Sequence, residues 1–254
     1  MTSEVTVAID GAVMTVTIDR PEQRNAMTLA AAEGIAAALT RLDDDPQLRV
    51  AVLTGSGGTF CAGTDLKRFL AGEKAHVAGR GFGGLVEAPP RKPLIAAVEG
   101  WALGGGFELV LACDLVVAGR SARFGLPEAK RGLIARAGGA VRLPRRLPRA
   151  IALELLLTGD PLSAERAAHH GLVNRVVEDG TALDAARELA TAVAANAPLA
   201  VAAAKALAVD SVDWPEAELF ARQAAYTEPV FASADAQEGA RAFAERRPPE
   251  WRGR

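Results

Sequence analysis

Two kinds of residue in this chain are spaced to do chemistry: glycines that open helices, and carboxylates set among apolar neighbours. Gly104, Gly105 and Gly106 follow an apolar run, Leu94 to Val98, and open an apolar helical stretch that ends near Ala112. Three consecutive glycines let the backbone approach a bound group closely, and a helix that begins there leaves its first N–H groups unpaired and directed outward. Such a site suits an oxyanion or a phosphate. Glu108 is the one charged side chain in that helix and lies in its first turn, among Phe107, Leu109, Val110 and Leu111. A second glycine-rich loop, Gly55 to Lys67, also ends an apolar strand and runs through Ala62-Gly63-Thr64-Asp65-Leu66-Lys67 into a helix. Two sets of exposed N–H donors converging on one oxygen make an oxyanion hole, whereas a single set would only bind. Taken alone, the triplet is equally consistent with close helix–strand packing. A dinucleotide fingerprint fits poorly, because there is no third glycine at the required spacing and no acid at a strand end about 20 residues on.

The elements that would position these loops are legible from periodicity. Val5 to Ile9 and Val13 to Ile18 alternate around Asp10-Gly11 as a hairpin, and a polar loop bent at Pro21 leads into an Ala-rich helix from about Leu29 to Leu42. Leu48 to Thr54 reads as a buried strand, and Ala71 to Pro93, with its glycines and a Pro-Pro pair, as a mobile excursion before the strand at Leu94. Leu115 to Ala118 is a further strand, and Ser121 to Pro148 a glycine- and arginine-rich connection with a short helix near Gly139. Ala150 to Thr158, Ala164 to His170 and Ala182 to Ala195 read as helices, with a strand at Val173 to Val177. From Pro198 onward every periodic segment is helical: Leu199 to Val209, Pro215 to Tyr226 and Ala234 to Arg246. The pattern is a mixed α/β core followed by a helical section.

Composition excludes several classes. Half of the 254 residues are hydrophobic, and 29 Lys and Arg stand against 31 Asp and Glu, so no global charge recruits nucleic acid; local basic groups must do any phosphate binding. No apolar run reaches the length of a membrane span, and the N-terminus lacks a signal-peptide pattern, so a cytoplasmic protein with no membrane partner is expected. Cys61 and Cys113 are too few for a disulfide framework and read as buried free thiols. His76, His169 and His170 form no grouping at ligand spacing, so no metal site is expected. His169 and His170 read as a surface helix end, and Tyr226 as a packing residue.

Several motifs occur together and in order: Asp19-Arg20-Pro21 through Asn25-Ala26-Met27, Ala62 to Lys67, Glu99-Gly100 through Gly104 to Leu109, Ala112-Cys113-Asp114, and Phe124-Gly125-Leu126-Pro127-Glu128. Gly138-Gly139, Gly171-Leu172-Val173-Asn174, Glu238-Gly239 and the stretch Phe243 to Arg252 continue the agreement. On these residues the chain resembles the enoyl-CoA hydratase/isomerase (crotonase) superfamily from about Val5 to Arg252. The resemblance implies an α/β fold, a crotonase-like spiral of ββα units with a C-terminal helical section. It divides the chain into residues 1–197, a core with the coenzyme A (CoA) and active sites, and 198–254, a trimerisation and lid section. The assembly implied is a homotrimer or a dimer of trimers.

The resemblance also assigns roles. The backbone N–H groups of Thr64 and Gly105 would hold the thioester oxygen, and Glu108 and Glu128 match the two glutamates of hydratase-like members. Glu108 would be the base on water and Glu128 the acid that protonates Cα. Physically the pairing is sound, since water addition needs a proton acceptor and a proton donor on one face of the alkene, and two glutamates in an apolar cleft raise each other's pKa. Arg24, Ala62, Asp65, Leu66, Lys67 and Gly104 are expected to contact substrate or CoA, with Arg20, Arg68, Arg246, Arg247 and Arg252 as further basic candidates; Asp65 reads equally as a helix cap. No cofactor is expected, CoA being part of the substrate. Arg136 stands where many relatives carry a small residue; it either faces solvent or narrows the acyl pocket and favours a polar or anionic acyl group. The function expected is an enoyl-CoA hydratase. An isomerase, a dehydratase of a functionalised acyl-CoA, or a non-catalytic acyl-CoA-binding protein remain alternatives.

Overall fold

A computed structural model of the chain describes residues 4–254. The first hairpin pairs β1 (Val5–Asp10) with β2 (Val13–Ile18), from Val5 opposite Ile18 to Asp10 opposite Val13. Thr28 then starts helix α1 (Leu29–Asp44) by accepting a hydrogen bond from the Ala31 amide. One face of α1 buries Ala31, Ala32, Ile35, Leu39 and Leu42. Strand β3 (Val50–Gly55) lies parallel to β2, and the short helix α2 (Leu66–Leu70) follows the second glycine loop.

The segment expected to be a mobile excursion is instead packed. It forms a small antiparallel ribbon, β4 (His76–Val77) with β5 (Gly81–Phe82), and buries Ala75, Leu85 and Val86. Glycines permit this: Gly84 has φ +65°, and a Cβ there would lie 2.1 Å from the Ala32 carbonyl oxygen on α1. The composition that suggested mobility serves close approach.

Strand β6 (Leu94–Val98) leads to β7 (Trp101–Leu103) and helix α3 (Gly105–Ala112); strand β8 (Leu115–Gly119) leads to β9 (Arg123–Gly125) and, after a 3-10 turn at Pro127–Arg131, to helix α4 (Gly139–Arg146). Helix α5 (Arg149–Thr158), strand β10 (Leu162–Ser163), helix α6 (Ala164–His169), strand β11 (Arg175–Val177) and helix α7 (Ala182–Ala194) complete this part. The larger sheet has the order β1-β2-β3-β6-β8-β11, parallel from β2 onward, and a smaller sheet has the order β10-β9-β7. Strands β6 and β8 thus each hand the chain to a short strand in a second layer and then to a helix. The short strands were not expected from the sequence.

Period-2 side-chain alternation sends β6 into two cores. Leu94, Ala96 and Val98 join α1 and α3 on one face, while Ile95 and Ala97 join Val52, Val117 and the Ala182, Ala186 and Ala190 stripe of α7 on the other. Glu99, at the end of β6, accepts the Gly180 and Ala182 amides at 3.0 and 2.9 Å and so caps α7. From Pro198 the chain is helical: α8 (Pro198–Asp210), α9 (Leu219–Phe231) and α10 (Ala234–Glu245). Helix α9 starts and ends later than expected, because a 3-10 turn at Glu216–Glu218 follows Pro215. Among the described residues no single helix is long and apolar enough to cross a membrane.

One side chain ties α8 to the core. Lys205 donates to the Pro90 and Lys92 carbonyls at 2.7 and 3.0 Å and to Asp114 Oδ2 at 2.6 Å. Asp114 also accepts the Leu94 amide, so the ion pair lies where β6 begins and α3 has just ended. Removing the ammonium strands a partly buried carboxylate and two carbonyls. Lys205→Ala is therefore expected to lower the free energy of unfolding by roughly 2–3 kcal/mol in urea denaturation; a change below about 0.5 kcal/mol, the scale of an exposed pair, would refute this anchoring role.

Candidate active site

The site forms where the two glycine loops meet. Cys61 donates to the Trp101 carbonyl and its own carbonyl accepts the Leu103 amide, so the second loop runs beside β7 as an extra stretch of strand. This brings α3 against it: a Cβ on Gly106 would lie 2.1 Å from the Cys61 carbonyl oxygen. A Cβ on Gly63, whose φ is +94°, would lie 2.8 Å from the Leu103 oxygen and 3.3 Å from the Gly105 nitrogen. Both loops need glycine because their backbones touch.

Two amides emerge from this junction with their usual partners denied. Met27 donates to the Gly63 carbonyl at 2.7 Å and accepts the Asp65 amide at 3.0 Å, so the Thr64 amide between them projects to the opposite side of that bridge. Gly105 is the first residue of α3, so its amide precedes the intrahelical ladder. The helix dipole adds positive potential there. The structure brings these residues together as the sequence suggested.

The two glutamates arrive on different elements. Glu108 is 3% exposed on α3, and its Oε1 accepts the Gly139 amide at 2.9 Å from the start of α4. A Cβ on Gly139 would lie 3.0 Å from that oxygen, so glycine is needed for the contact. Burial is the main influence on Glu108 and raises its pKa; the Gly139 amide opposes this, Glu128 adds repulsion, and the Ala137 amide and the Arg142 cation favour the ionised form. The balance pushes the carboxyl up to about 7. Glu128 lies in the 3-10 turn at Pro127–Arg131, and its Oε1 would lie 3.0 Å from a Cβ on Gly104, which places it beside the turn that opens α3. Burial also raises its pKa, and its Oε2 is buried without a hydrogen-bond partner among the described residues. A half-buried carboxyl that is raised and unpaired at one oxygen is suited to hold and release a proton.

The remaining candidates divide. Ala62 and Gly104 are half-buried at the junction, and Leu66 and Lys67 are exposed on α2 beside it. Arg24 is exposed, and its carbonyl accepts the Ala62 amide at 3.0 Å. Asp65 caps α2 through the Lys67 and Arg68 amides and pairs with Arg20 at 2.9 Å, so its carboxylate is occupied as the capping reading implies. Arg20 is occupied too, by Asp65, Glu4 and the Ala26 carbonyl. Arg247 pairs with Glu238 and Glu245. Arg136 is exposed on the loop between the buried Ala135 and the half-buried Ala137. His169 and His170 stack edge to face at the end of α6, and Tyr226 donates to Asp210 Oδ2 at 2.8 Å. Among the described residues no group of three or more His, Cys, Asp or Glu could hold a metal ion.

Two neighbours of the site escaped the sequence reading. The Phe82 ring on β5 fills the space a Gly105 side chain would take, 2.3 Å from the Cβ position. Arg142 on α4 is half-buried, donates to the Val86 carbonyl at 2.6 Å and lies over Gly138. A lone aromatic within Gly-Phe-Gly-Gly was the only signal for the first; for the second there was none beyond its helical spacing from Gly139.

Linkage turns the Glu108 shift into a stability prediction. Its folded pKa, about 7, exceeds the ordinary 4.5, so the folded state holds a proton that the unfolded state has lost between these values. This contribution is complete below pH ~4.5 and vanishes as pH rises through ~7. Relative to Glu108→Gln, the wild type should lose on the order of 3 kcal/mol of stability across that window in urea denaturation. Parallel pH profiles for the two proteins would contradict it.

Comparison with known proteins matches the whole chain. The family model described as Enoyl-CoA hydratase/isomerase matches residues 8–254. The chain is 43% identical over 262 residues to a carnitinyl-CoA dehydratase from Proteus mirabilis (strain HI4320), covering 100% of both. It is similar to a crystal structure of enoyl-CoA hydratase from Mycobacterium tuberculosis H37Rv, with 55% identity, TM-score 0.98, and coverage of 99% of this chain and 100% of that one. It is also similar to a crystal structure of carnitinyl-CoA hydratase from Mycobacterium avium, with 46% identity, TM-score 0.81 and 100% coverage of both.

Proposed function

The chain belongs to the enoyl-CoA hydratase/isomerase family and has the crotonase fold, and we propose that it is a hydro-lyase that adds water reversibly across a trans-2-enoyl-CoA thioester. The observation that carries this reading is the pair of pKa-raised carboxyls, buried Glu108 and half-buried Glu128, at the junction where the Thr64 and Gly105 amides emerge. In the hydration direction Glu108, as carboxylate, takes a proton from water as the oxygen attacks Cβ. The electron pair moves to the thioester oxygen, where the Thr64 and Gly105 N–H groups stabilise the enolate. Glu128, protonated, delivers its proton to Cα, and the enolate collapses to the thioester. Dehydration runs the same steps backwards with the roles reversed.

CoA enters as part of the substrate, and the chemistry needs no metal or redox cofactor. Arg24, Ala62, Asp65, Leu66, Lys67 and Gly104 would line the path of the thioester and its CoA, with the exposed Lys67 and Arg24 as its basic groups. Residues 1–197 form the catalytic core in this reading, and 198–254 a section that closes the site and joins subunits in a homotrimer or a dimer of trimers. Phe220, Phe231 and Phe243 in that section are 81%, 81% and 87% exposed in the single chain, which supports a covered interface. A cytoplasmic place in fatty acid metabolism fits this activity.

The names of two relatives, a carnitinyl-CoA dehydratase and a carnitinyl-CoA hydratase, favour a second reading in which the same acids process a functionalised acyl-CoA. Hydration of crotonyl-CoA, followed by loss of the enoyl absorbance, tests the first reading. Glu108→Gln and Glu128→Gln should each lower kcat by about 10²- to 10⁴-fold. A wild type that binds crotonyl-CoA and related enoyl esters without turnover would overturn it. A panel of hydroxyacyl-CoA and 3-enoyl-CoA esters separates dehydration and isomerisation from simple hydration. In the same panel, Arg136→Gly should change the ranking of anionic against neutral acyl groups; an unchanged ranking assigns Arg136 to solvent.

A further inference from the structure

The 71–93 segment and helix α4 flank α3, and one side chain spans them. Arg142, one turn into α4, sends its guanidinium to the Val86 carbonyl at 2.6 Å, and its Nη1 would lie 2.5 Å from a Cβ on Gly138. Gly138 therefore has to be glycine for Arg142 to reach across. The same segment carries Phe82 over Gly105, and the start of α4 carries the Gly139 amide that holds Glu108. Resting on the hydratase reading above, we propose that Arg142 is a positioning residue for the reaction: it clamps the Phe82 segment to the helix that holds Glu108 and supports that side chain as a carboxylate.

The surroundings leave this task to Arg142. Glu128, from the 3-10 turn, repels the Glu108 carboxylate, and Arg142 is the attracting cation. Burial works against the charge of Arg142, and Glu108 in turn stabilises it. Arg146, one turn further along α4, is turned to the Cys113 carbonyl at 3.0 Å. In the segment itself, Arg80 donates to Thr40 and the Ala88 carbonyl, and the Glu87 side chain packs on Gly81. An arginine suits the role because one planar group can bond a carbonyl and still present its charge sideways.

The test needs no turnover. The protonated-carboxyl infrared band of Glu108, taken as the difference from the matching E108Q protein, is titrated in wild type, R142Q and R142K. In R142Q the band should persist to higher pH by about one unit, because a cation favouring the carboxylate is gone; in R142K, which keeps the charge, it should stay near wild type. Amide exchange over residues 80–87 should rise in R142M, which fills space but cannot donate. Should R142M not fold, R142Q, with its shorter side chain, carries both the titration and the exchange. Hydration by R142Q should then fall on the order of tenfold more near pH 6 than near pH 9. A Glu108 titration in R142Q that superposes on wild type, or exchange unaltered by loss of the guanidinium, overturns the proposal. A wild type inert toward enoyl-CoA would count against the hydratase reading and leave the titration result standing.

Discussion

The structure depends on how closely α3 approaches the strand at Cys61. No side chain fits between Gly106 and the Cys61 carbonyl, nor between Gly63 and the Leu103 carbonyl, so two stretches of bare backbone touch. That contact holds the Thr64 and Gly105 amides near one another as rigid parts of strand and helix rather than as loop tips. Donors held this way need no reorganisation when charge develops on an oxygen between them. Cys61 belongs to the same junction: burial pushes its thiol up to about 12, and its Sγ meets the Gly63 amide at 3.4 Å, so it packs as a small hydrophobe rather than a nucleophile.

Against this fixed frame the two acids differ in what surrounds them. Burial raises both, but Glu108 is given an amide donor at Gly139, a second amide contribution from Ala137 and a cation at Arg142. These bring it back to about 7, where carboxylate and acid interconvert near neutrality. Glu128 is half-buried; its own backbone amide and Arg131 favour its ionised form, and its Oε2 has no hydrogen-bond partner among the described residues. Burial outweighs these two influences and raises its pKa. The difference between the two carboxyls thus lies in the neighbours, since the side chains are chemically identical.

Much of this was legible in the chain, and the gaps have physical causes. Long helices such as α1 and α7 announce themselves because their apolar period repeats over several turns, and β6 does so as an unbroken apolar run. The three-residue strands β7 and β9 do not, since their pairing comes from residues far away in sequence and they are too short to show alternation. The 71–93 segment misled for a related reason: its glycines signal flexibility locally, yet Gly84 is there to touch α1. Glu108 stood out as a lone charge in an apolar helix. Glu128, in a polar turn, was identified through resemblance, and Arg142 and Phe82 were invisible because their importance depends on which segments pack over α3.

The position of Glu108 also reaches beyond the site. Helix α3 is short, and a short helix is only as fixed as its ends. At its start the Gly104 amide donates to the Gly125 carbonyl of β9; at its finish Arg146 bonds the Cys113 carbonyl, and Asp114 takes the Leu94 amide and Lys205. The second of these anchors comes from α4, the same helix that supplies Gly139 and Arg142 to Glu108. The last comes from α8, the first helix of the C-terminal section. A shift of α8 would therefore be felt at the far end of α3 through Lys205 and Asp114. The placement of Glu108 is in this way a property of the joined core and helical section, and not of the glycine loops alone.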